Sequence, residues 1–367
     1  MSIVASARVD LREVDATVAN WGKASCVTAL ASEARAEKGG AILDTLNIWR
    51  SVNRWSKLSR RDVPRQKVLT LGRATWPRFP AAERRQSAKT YGKIGALEVR
   101  LARTRADIKR AQRLRYEVFY NEMSARASLA THMLGRDADA YDAACDHLLV
   151  VDSSPHAGSP RDWGRLRRPR VVGTYRVLRQ EVARRALGFY TQGEYDIAPL
   201  LAVRPDYRFM ELGRSCVMKS HRNKRTLELL WHGLWTYVRE HKVDVMVGCA
   251  SFEGTDPNEH AAALSFLHHF ARAPEEWRVR AHDDLFVPMD LIAKDKLDAR
   301  SVLRSMPPLI KGYLRLGAMV GDGAVIDHQF GTTDVLIVLP VKRIDPRYFD
   351  HFGAPDEQVS RVASGRK

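Results

Sequence analysis

The sequence predicts an α/β fold, and three features of the chain point to it. Apolar stretches of strand length alternate with segments whose apolar residues recur at helical spacing. Val243–Cys249 is a nearly continuous apolar run, which is typical of a strand buried on both faces of a sheet. Phe209–Met218 has the character of a further strand, and a polar basic turn and a helix follow it directly.

The segment from Met210 to Trp231 therefore joins a strand, a basic turn and a helix N-terminus. Thr226 is placed to cap the helix. The apolar stripe of the helix comprises Leu227, Leu230, Trp231, Leu234 and Trp235. A helix N-terminus attracts anions through unpaired backbone N–H groups and a positive dipole end, and basic side chains surround this one. The pattern predicts a binding site for a phosphate-bearing carrier; a merely solvent-exposed basic turn is the alternative.

The remaining elements continue the alternation in chain order. The predicted strands are Leu97–Thr104, Leu148–Val151, Val171–Leu178, Phe209–Met218, Val243–Cys249, Leu285–Val287 and Val335–Leu339. The predicted helices are Ala106–Met123, Ser124–Ala138 (or a lid), Thr226–His241, Glu259–Phe270, Lys294–Arg304 and Leu309–Gly317. No internal repeat is found in the chain.

The first part of the chain differs in composition from the rest. Between Arg50 and Lys93 there are thirteen Lys and Arg residues against two acids, Asp62 and Glu83. We interpret residues 1–93 as a basic extension, partly helical or disordered, residues 94–353 as the main domain and residues 354–367 as a polar tail. The charge could attract an anionic membrane surface or an acidic partner, and an Arg-rich composition without any partner is the alternative.

Composition narrows the class of protein further. The net charge is +17 over 367 residues. The four cysteines form no CxxC pair, so neither a disulfide framework nor a zinc site is expected. The run from Asp142 to His147 offers metal-ligand types without a second cluster, so no metal site is predicted there. No apolar stretch approaches the length of about 20 residues that a membrane span needs, and we expect a cytoplasmic protein that could lie at the inner membrane face.

Several sequence blocks together resemble one known family, over about Leu97 to Gly353. The blocks are ELGRSCV with HRNKRTLELLW, LRYEVFYNEM, YDAACDHLLVVD, VVGTYRVLR, FYTQGEYDI, CASFEGTDP and PPLIKGYLRLGA. In their order along the chain, these blocks resemble the L-ornithine Nα-acyltransferases of bacterial ornithine-lipid synthesis, which belong to the GNAT acyltransferase superfamily. The autoinducer (acyl-homoserine lactone) synthases share a sparser version, namely Arg115, Phe119, Asp142, Asp146, Arg176, Glu211 and Arg214.

The resemblance implies a GNAT-like fold, with a mixed central sheet flanked by helices, and an N-acyltransferase. The enzyme would move a (3-hydroxy)acyl group from acyl carrier protein to the α-amine of L-ornithine, giving lyso-ornithine lipid, without a metal or redox cofactor. One alternative is an autoinducer synthase, but those chains are shorter and lack the last two blocks. The other is a basic membrane- or nucleic-acid-binding protein without catalysis, and we expect no nucleic acid partner because the family blocks argue for an enzyme.

The resemblance also assigns the basic turn a role in donor binding. It implies that the phosphopantetheine arm of the carrier protein contacts Arg222, Asn223, Lys224, Arg225 and Thr226. Most acyl-coenzyme A enzymes of the superfamily have a glycine-rich turn here, whereas this turn contains no glycine. The single phosphate of a carrier protein arm needs less room than the pyrophosphate of coenzyme A. Carrier proteins are acidic, which suits a basic docking face.

The charged residues shared with the autoinducer synthases are candidates for binding the acceptor. Arg115, Arg176 and Arg214 lie among apolar neighbours, where an unpaired charge is costly, so we expect them to pair with acids. Asp142, Asp146 and Glu211 are the natural partners. A pocket of this kind suits a zwitterionic amino acid, with Phe119 as a further wall. An ion-pair lattice that braces a mobile lid is the alternative for each residue.

Glu211 is the candidate catalytic residue. An amine attacks a thioester through its lone pair, so the α-ammonium of the acceptor must first lose a proton, and a nearby carboxylate can accept it. Glu211 lies on the predicted central strand beside the basic turn, where GNAT enzymes often place such a base. Two alternatives stay open: Glu211 could anchor the substrate ammonium, or it could form an internal ion pair with Arg214.

Overall fold

The computed structural model describes residues 89–123, 125–154, 169–345 and 348, and the fold is given for these alone. The predicted extension, apart from residues 89–93, and the predicted tail lie outside the described residues. In the described part no helix is both long and apolar enough to cross a membrane.

An eight-stranded sheet forms the centre of the described chain, with the strand order β1-β2-β3-β4-β5-β6-β8-β7. The strands are β1 (Thr90–Ile94), β2 (Leu97–Leu101), β3 (Asp146–Asp152), β4 (Arg170–Arg179), β5 (Phe209–Val217), β6 (Val245–Glu253), β7 (Met319–Asp327) and β8 (Thr332–Pro340). Only β5 and β6 pair in parallel; the other neighbours are antiparallel. The predicted mixed sheet is therefore confirmed.

Two strands were not predicted, and one predicted strand is wrong. β1 crosses the boundary that we placed between Lys93 and Ile94, and it pairs with β2. β7 has Gly321 and Gly323 among its apolar residues, and these hide the strand pattern. The segment predicted as a strand at 285–287 forms only an isolated bridge between Val287 and Ala324.

The helices lie between the strands. They are α1 (Arg105–Tyr116), α2 (Leu129–Leu134), α3 (Gln180–Ala183), α4 (Ala198–Ala202), α5 (Lys224–Glu240), α6 (Ala261–Phe266), α7 (Ala299–Ser305) and α8 (Pro308–Arg315). A π-helical turn, Glu117–Glu122, extends α1, and a 3-10 turn, Tyr190–Gly193, precedes α4. The predicted helix 124–138 is much shorter than expected, because Ser128 caps the start of α2 and Gly135 ends the helix in the left-handed conformation.

The helix that follows the basic turn, α5, packs against the sheet at β1 to β4. Its predicted apolar stripe is confirmed, since Leu230, Leu234 and Trp235 are buried. The helix approaches the sheet closely at Gly233, where an added Cβ would come within 2.5 Å of Val99 Cγ2. A side chain at this position would therefore push α5 away from the sheet.

The sheet opens where β5 and β6 part. Their parallel pairing comprises Phe209–Val245, Met210–Met246 and Glu211–Val247, although both strands continue beyond it. On the other side of β5, the register with β4 shifts between Thr174 and Arg176, and Arg214 in the bulge has a φ of 51°. A bulge of this kind bends a strand and frees backbone groups from the ladder.

Candidate active site

A cleft of about 490 Å³ lies where β5 and β6 diverge. Its floor is formed by residues 211–217 of β5 and 246–251 of β6. Side chains from the π-helical turn, the 3-10 turn 190–193, α8 and the β7–β8 hairpin complete the walls. Both sheet strands contribute backbone to the cleft, as the splay allows.

Glu211 faces this cleft and is only 6% exposed. Its Oε2 accepts a hydrogen bond from Tyr190 N at 2.8 Å, and its Oε1 accepts from Thr191 N at 2.6 Å and from the Thr191 hydroxyl. Burial raises the pKa of Glu211, although these hydrogen bonds and Arg176 act in the opposite direction. The carboxylate therefore holds the start of the 3-10 turn, while burial favours its protonated form.

The alternative interpretation in which Glu211 forms an ion pair with Arg214 is wrong. Arg214 instead lies 3.5 Å from Asp137 and 3.6 Å from Asp139, measured from guanidinium nitrogen to carboxylate oxygen. The bulge turns the Arg214 side chain between two aromatic rings, with Cζ 4.9 Å from the Tyr190 centroid and 4.3 Å from the Phe330 centroid. Arg214 lines the cleft, and its guanidinium stacks against the walls as cation–π pairs do.

Arg176 and Phe119 also line the cleft. Arg176 Nη1 donates to both oxygens of Asp139 at 2.7 Å and lies 3.3 Å from Asp142 Oδ1. The Phe119 ring meets the Phe330 ring edge to face, with centroids 5.8 Å apart. The structure thus brings Arg176, Arg214 and Phe119 to the cleft that holds Glu211.

Arg115 and Asp142 lie behind the cleft wall and do not line it. Arg115 is 0% exposed; its Nε donates to Asp137 at 2.8 Å and its Nη2 donates to Asp142 at 2.8 Å. Although burial alone would raise the pKa of Asp142, Arg115 and Arg176 hold it well below the ordinary value. The expected pairing of Arg with acids is confirmed here, and the geometry favours a bracing lattice over a direct substrate contact.

Two acids of this lattice were not singled out in the sequence. Asp137 joins Arg115 to Arg214, and Asp139 joins Arg176 to Arg214. Asp137, Asp139 and Asp142 lie close together in the sequence, and that local density of acids beside the YDAACDH block is the signal that could have found them.

Asp146 lies away from the cleft. Its Oδ2 accepts a hydrogen bond from the Tyr237 hydroxyl at 2.6 Å and lies 3.7 Å from Arg179 Nε. These contacts tie the start of β3 to α5 and β4. The location favours a structural role for Asp146, and its predicted contact with substrate stays a prediction.

The basic turn lies at the mouth of the cleft, where Arg222 lines it. Arg222 forms a bidentate pair with Glu122, and its Nε donates to Val217 O at 3.0 Å. The predicted position of the cap of α5 is wrong by three residues. The capping residue is Asn223, and its side-chain oxygen accepts a hydrogen bond from Thr226 N at 3.1 Å. Thr226 is buried beneath this cap, while Lys224 and Arg225 are exposed.

Comparisons with known proteins identify the family of the chain. Residues 114–232 match the acetyltransferase (GNAT) domain family. An L-ornithine N(alpha)-acyltransferase of Brucella abortus is 53% identical over 263 residues, which cover 72% of this chain and 91% of that protein. Relatives of the same name from Agrobacterium fabrum (52% identical; 74% of this chain, 89% of the relative) and Rhodobacter capsulatus (40%; 70% and 94%) also match.

The chain belongs to the L-ornithine Nα-acyltransferase family. It is an acyltransferase with a GNAT fold. Among solved structures, it is similar to FeeM, an N-acyl amino acid synthase from uncultured soil microbes, with a TM-score of 0.36 and 10% identity over 67% of this chain and 91% of that chain. It is also similar to the AHL synthase LasI, with a TM-score of 0.34 and 12% identity over 69% and 90% of the two chains.

This acyltransferase also has an acidic cluster that we did not predict. Glu194, Asp327 and Asp334 each have a carboxylate oxygen within 4.8 Å of those of the other two. Asp327 and Asp334 line the cleft that holds Glu211. The three residues lie on the segment after the 3-10 turn, at the end of β7 and on β8, so no local sequence pattern could reveal them.

Proposed function

We propose that this acyltransferase moves a (3-hydroxy)acyl group from acyl carrier protein to the α-amine of L-ornithine and so forms lyso-ornithine lipid. The observation that carries the proposal is the buried Glu211 carboxylate in the cleft between β5 and β6. The family relationship supplies the acceptor, since the relatives are named for L-ornithine. No metal or redox cofactor takes part in the proposed reaction.

The proposed chemistry begins with the acceptor amine. Glu211 takes a proton from the α-ammonium, and its raised pKa suits this role because a base works best when its pKa lies near the working pH. The free amine attacks the thioester carbonyl, forming the C–N bond. The C–S bond then breaks, and the second proton of the attacking nitrogen passes to the leaving thiolate. The products are the amide and the free carrier thiol, and Glu211 returns its proton to solvent.

The tetrahedral intermediate carries an oxyanion that needs hydrogen-bond donors. Backbone N–H groups of β5 beyond Glu211 are suited to this role, because β5 and β6 no longer pair there. The residue after β5 is less suited, because Met218 N already donates to Val172 O. The acyl chain fits the apolar part of the cleft, which includes Leu309, Ile337 and Leu339.

The carboxylate of the acceptor suits the Arg side of the cleft. Arg176 and Arg214 are rigidly held by Asp139 and by aromatic rings, so their guanidinium groups are oriented before any substrate arrives. Arg forks bind carboxylates in two parallel hydrogen bonds, which fixes the orientation of the bound amino acid. We retain both residues, with Phe119, as candidate acceptor contacts.

The reaction itself can be tested by mass spectrometry. The full chain is incubated with 3-hydroxyacyl-acyl carrier protein and L-ornithine, and the expected product is Nα-acylated ornithine. The same compound should accumulate in the lipids of cells that express the chain. A product that forms with S-adenosylmethionine instead of ornithine would replace the proposal with an autoinducer synthase.

The donor site at the mouth of the cleft carries a prediction of its own. Acyl carrier protein thioesters are expected to react far better than the matching coenzyme A thioesters, because the turn is basic and contains no glycine. Changing Arg222, Lys224 and Arg225 together to Gln should raise the KM for the carrier protein about 10-fold, since each exposed charge contributes about 0.2–1 kcal/mol.

A matched control separates the donor site from a general loss of charge. Arg105, Arg184 and Arg185 are also exposed and do not line the cleft, so changing these three to Gln should leave the KM for the carrier protein almost unchanged. Equal effects of the two triple variants, or equal rates with both donors, would show that the turn does not recognise the donor.

We propose in addition that the basic stretch before residue 89 attaches the enzyme to anionic membranes. A chain that begins at Lys89 retains β1 and is expected to keep its activity on soluble donors. Its binding to anionic vesicles, measured by sedimentation, should fall, because each Lys or Arg near such a surface contributes about 1 kcal/mol. Unchanged vesicle binding, with acylation lost, would show that residues 1–88 belong to the catalytic domain instead.

A further inference from the structure

Three carboxylates gather beside the cleft that holds Glu211, and the reaction proposed above does not use them. They belong to Glu194, Asp327 and Asp334 and are here called the acidic cluster. Glu194 follows the 3-10 turn that Glu211 holds, while the two aspartates come from the β7–β8 hairpin. The fold therefore connects the acidic cluster to the candidate base through a turn of a few residues.

The acidic cluster has no cationic partner in the described part of the chain. There, no Lys, Arg or His nitrogen lies within 4.0 Å of its carboxylates, whereas Asp137, Asp139 and Asp142 are all paired with Arg. Buried charges are normally paired, because an isolated one is costly. The acidic cluster thus differs from the Arg–Asp lattice behind the cleft wall, in which every carboxylate has an Arg partner.

Asp334 supplies an independent sign of a missing ligand. It is only 6% exposed, it lines the cleft, and its Oδ1 is buried without a hydrogen-bond partner among the described residues. Asp327 Oδ1, by contrast, accepts the backbone N–H groups of Gln329 and Phe330, and Glu194 Oε2 accepts from Cys249 Sγ at 3.0 Å. An unsatisfied buried carboxylate oxygen beside an open cleft is a vacant acceptor.

The electrostatics of the acidic cluster agree with this interpretation. Burial, together with the neighbouring Asp334, raises the pKa of Glu194 to about 7. Burial likewise raises the pKa of Asp334 to about 6, and Asp327 adds to the rise while the hydroxyls of Ser251 and Thr332 oppose it. The carboxylates thus resist becoming charged together, and a bound cation would relieve that repulsion.

We propose that the acidic cluster binds the side-chain ammonium of a diamino acid acceptor while the α-amine of the same molecule lies at Glu211. The inference rests on the proposed function and deepens it, because it assigns the preference for a second amine to particular residues. A primary ammonium has three N–H donors and no acceptor, which suits a site made of carboxylate oxygens.

Cys249 lies near both the acidic cluster and Glu211. Its Sγ lies 3.0 Å from Glu194 Oε2, and Glu194 and Glu211 both help to raise the pKa of its thiol. Cys249 also lines the cleft that holds Glu211. Glu194 and Glu211 therefore both lie within electrostatic range of one thiol, and the proposal places the two amines of one small diamino acid at these two acids.

The test compares two ligands that differ in one amine. L-Ornithine and L-norvaline have the same carbon skeleton, but norvaline lacks the side-chain amine. Their binding to the full chain is measured by titration calorimetry. Wild-type protein is expected to bind ornithine about 10- to 100-fold more tightly, the usual effect of hydrogen bonds to a charged group.

Two variants of the acidic cluster test the assignment, and their melting temperatures check that both variants are folded. Asp334→Asn and Glu194→Gln are each expected to reduce the preference for ornithine to a few-fold and to leave norvaline binding nearly unchanged, at a wild-type melting temperature. Asp283→Asn is the matched control, because its side chain is 94% exposed and outside the cleft lining, and it should keep the full preference.

The possible outcomes decide between distinct conclusions. An unchanged preference in both cluster variants, or equal binding of the two ligands by wild-type protein, would overturn the proposal even if ornithine is acylated. Ornithine binding that requires added Mg²⁺ and is abolished by a chelator would assign the acidic cluster to a metal instead. Strong preference for ornithine without acylation would overturn the proposed reaction and leave the ammonium site standing.

Discussion

Glu211→Gln is expected to lower kcat about 10²–10⁴-fold, the usual contribution of a positioned acid or base. The amide keeps the shape of Glu211 but cannot accept the proton of the α-ammonium. The defect should shrink as the pH rises, because more of the amine then arrives deprotonated. Burial raises the pKa of Glu211. As the pH is lowered, the wild-type rate should therefore begin to fall at a higher pH than it would if the base had the pKa of an ordinary glutamate.

The same substitution also affects stability, and the structure explains why. Both oxygens of Glu211 accept hydrogen bonds from the 3-10 turn, so an amide –NH₂ would face a backbone N–H of Tyr190 or Thr191. An unsatisfied buried donor costs about 1–3 kcal/mol. The melting temperature and the pH–rate profile should therefore be measured on one preparation.

Thr191→Val separates the two roles of Glu211. This variant removes the hydroxyl that donates to Glu211 but retains the carboxylate, so it should lose about 0.5–1.5 kcal/mol of stability. Its rate should remain within about 10-fold of wild type, below the range expected for loss of the base. If both variants lose the same activity at every pH, Glu211 is an anchor for the turn rather than the base.

Arg115→Met is expected to lower the free energy of unfolding by about 3–5 kcal/mol, because it leaves buried carboxylates without their counter-charge. Arg115 is 0% exposed and bridges Asp137 and Asp142. Arg115 helps to hold the pKa of Asp142 below its ordinary value. A lowered carboxyl pKa stabilises the folded protein fully at pH values above the ordinary pKa, and this contribution is lost as the pH falls towards the lowered pKa. The penalty of the variant should therefore be largest near neutral pH and smaller in acid, where the abandoned carboxylates take up protons.

Arg113→Met is the matched control, since Arg113 is exposed on the same helix. It should change the free energy of unfolding by less than about 0.5 kcal/mol, as is usual for surface positions. Thermal unfolding of both variants at two pH values gives the comparison. If Arg115→Met instead has wild-type stability and a raised KM for the acceptor, the contact with substrate that we predicted for Arg115 would be supported in place of the bracing role.

The sequence alone predicted the central part of the fold. Alternating apolar periods indicated an α/β sheet, and the strand, basic turn and helix from Phe209 onward are found as β5, the turn and α5. These elements have strong local patterns, so a single chain suffices to find them. β1 and β7 were missed because glycines interrupt the apolar pattern of both strands.

For the site, the sequence determined which residue types are present and that buried Arg must be paired with acids. Only the tertiary structure decided which acid pairs with which Arg, and it placed Arg214 with Asp137 and Asp139 instead of Glu211. The splay of β5 from β6 and the gathering of Glu194, Asp327 and Asp334 depend on which strands are neighbours in the sheet. The order of the strands in the sheet depends on packing between elements that are far apart along the chain, so the local spacing of residues cannot predict it.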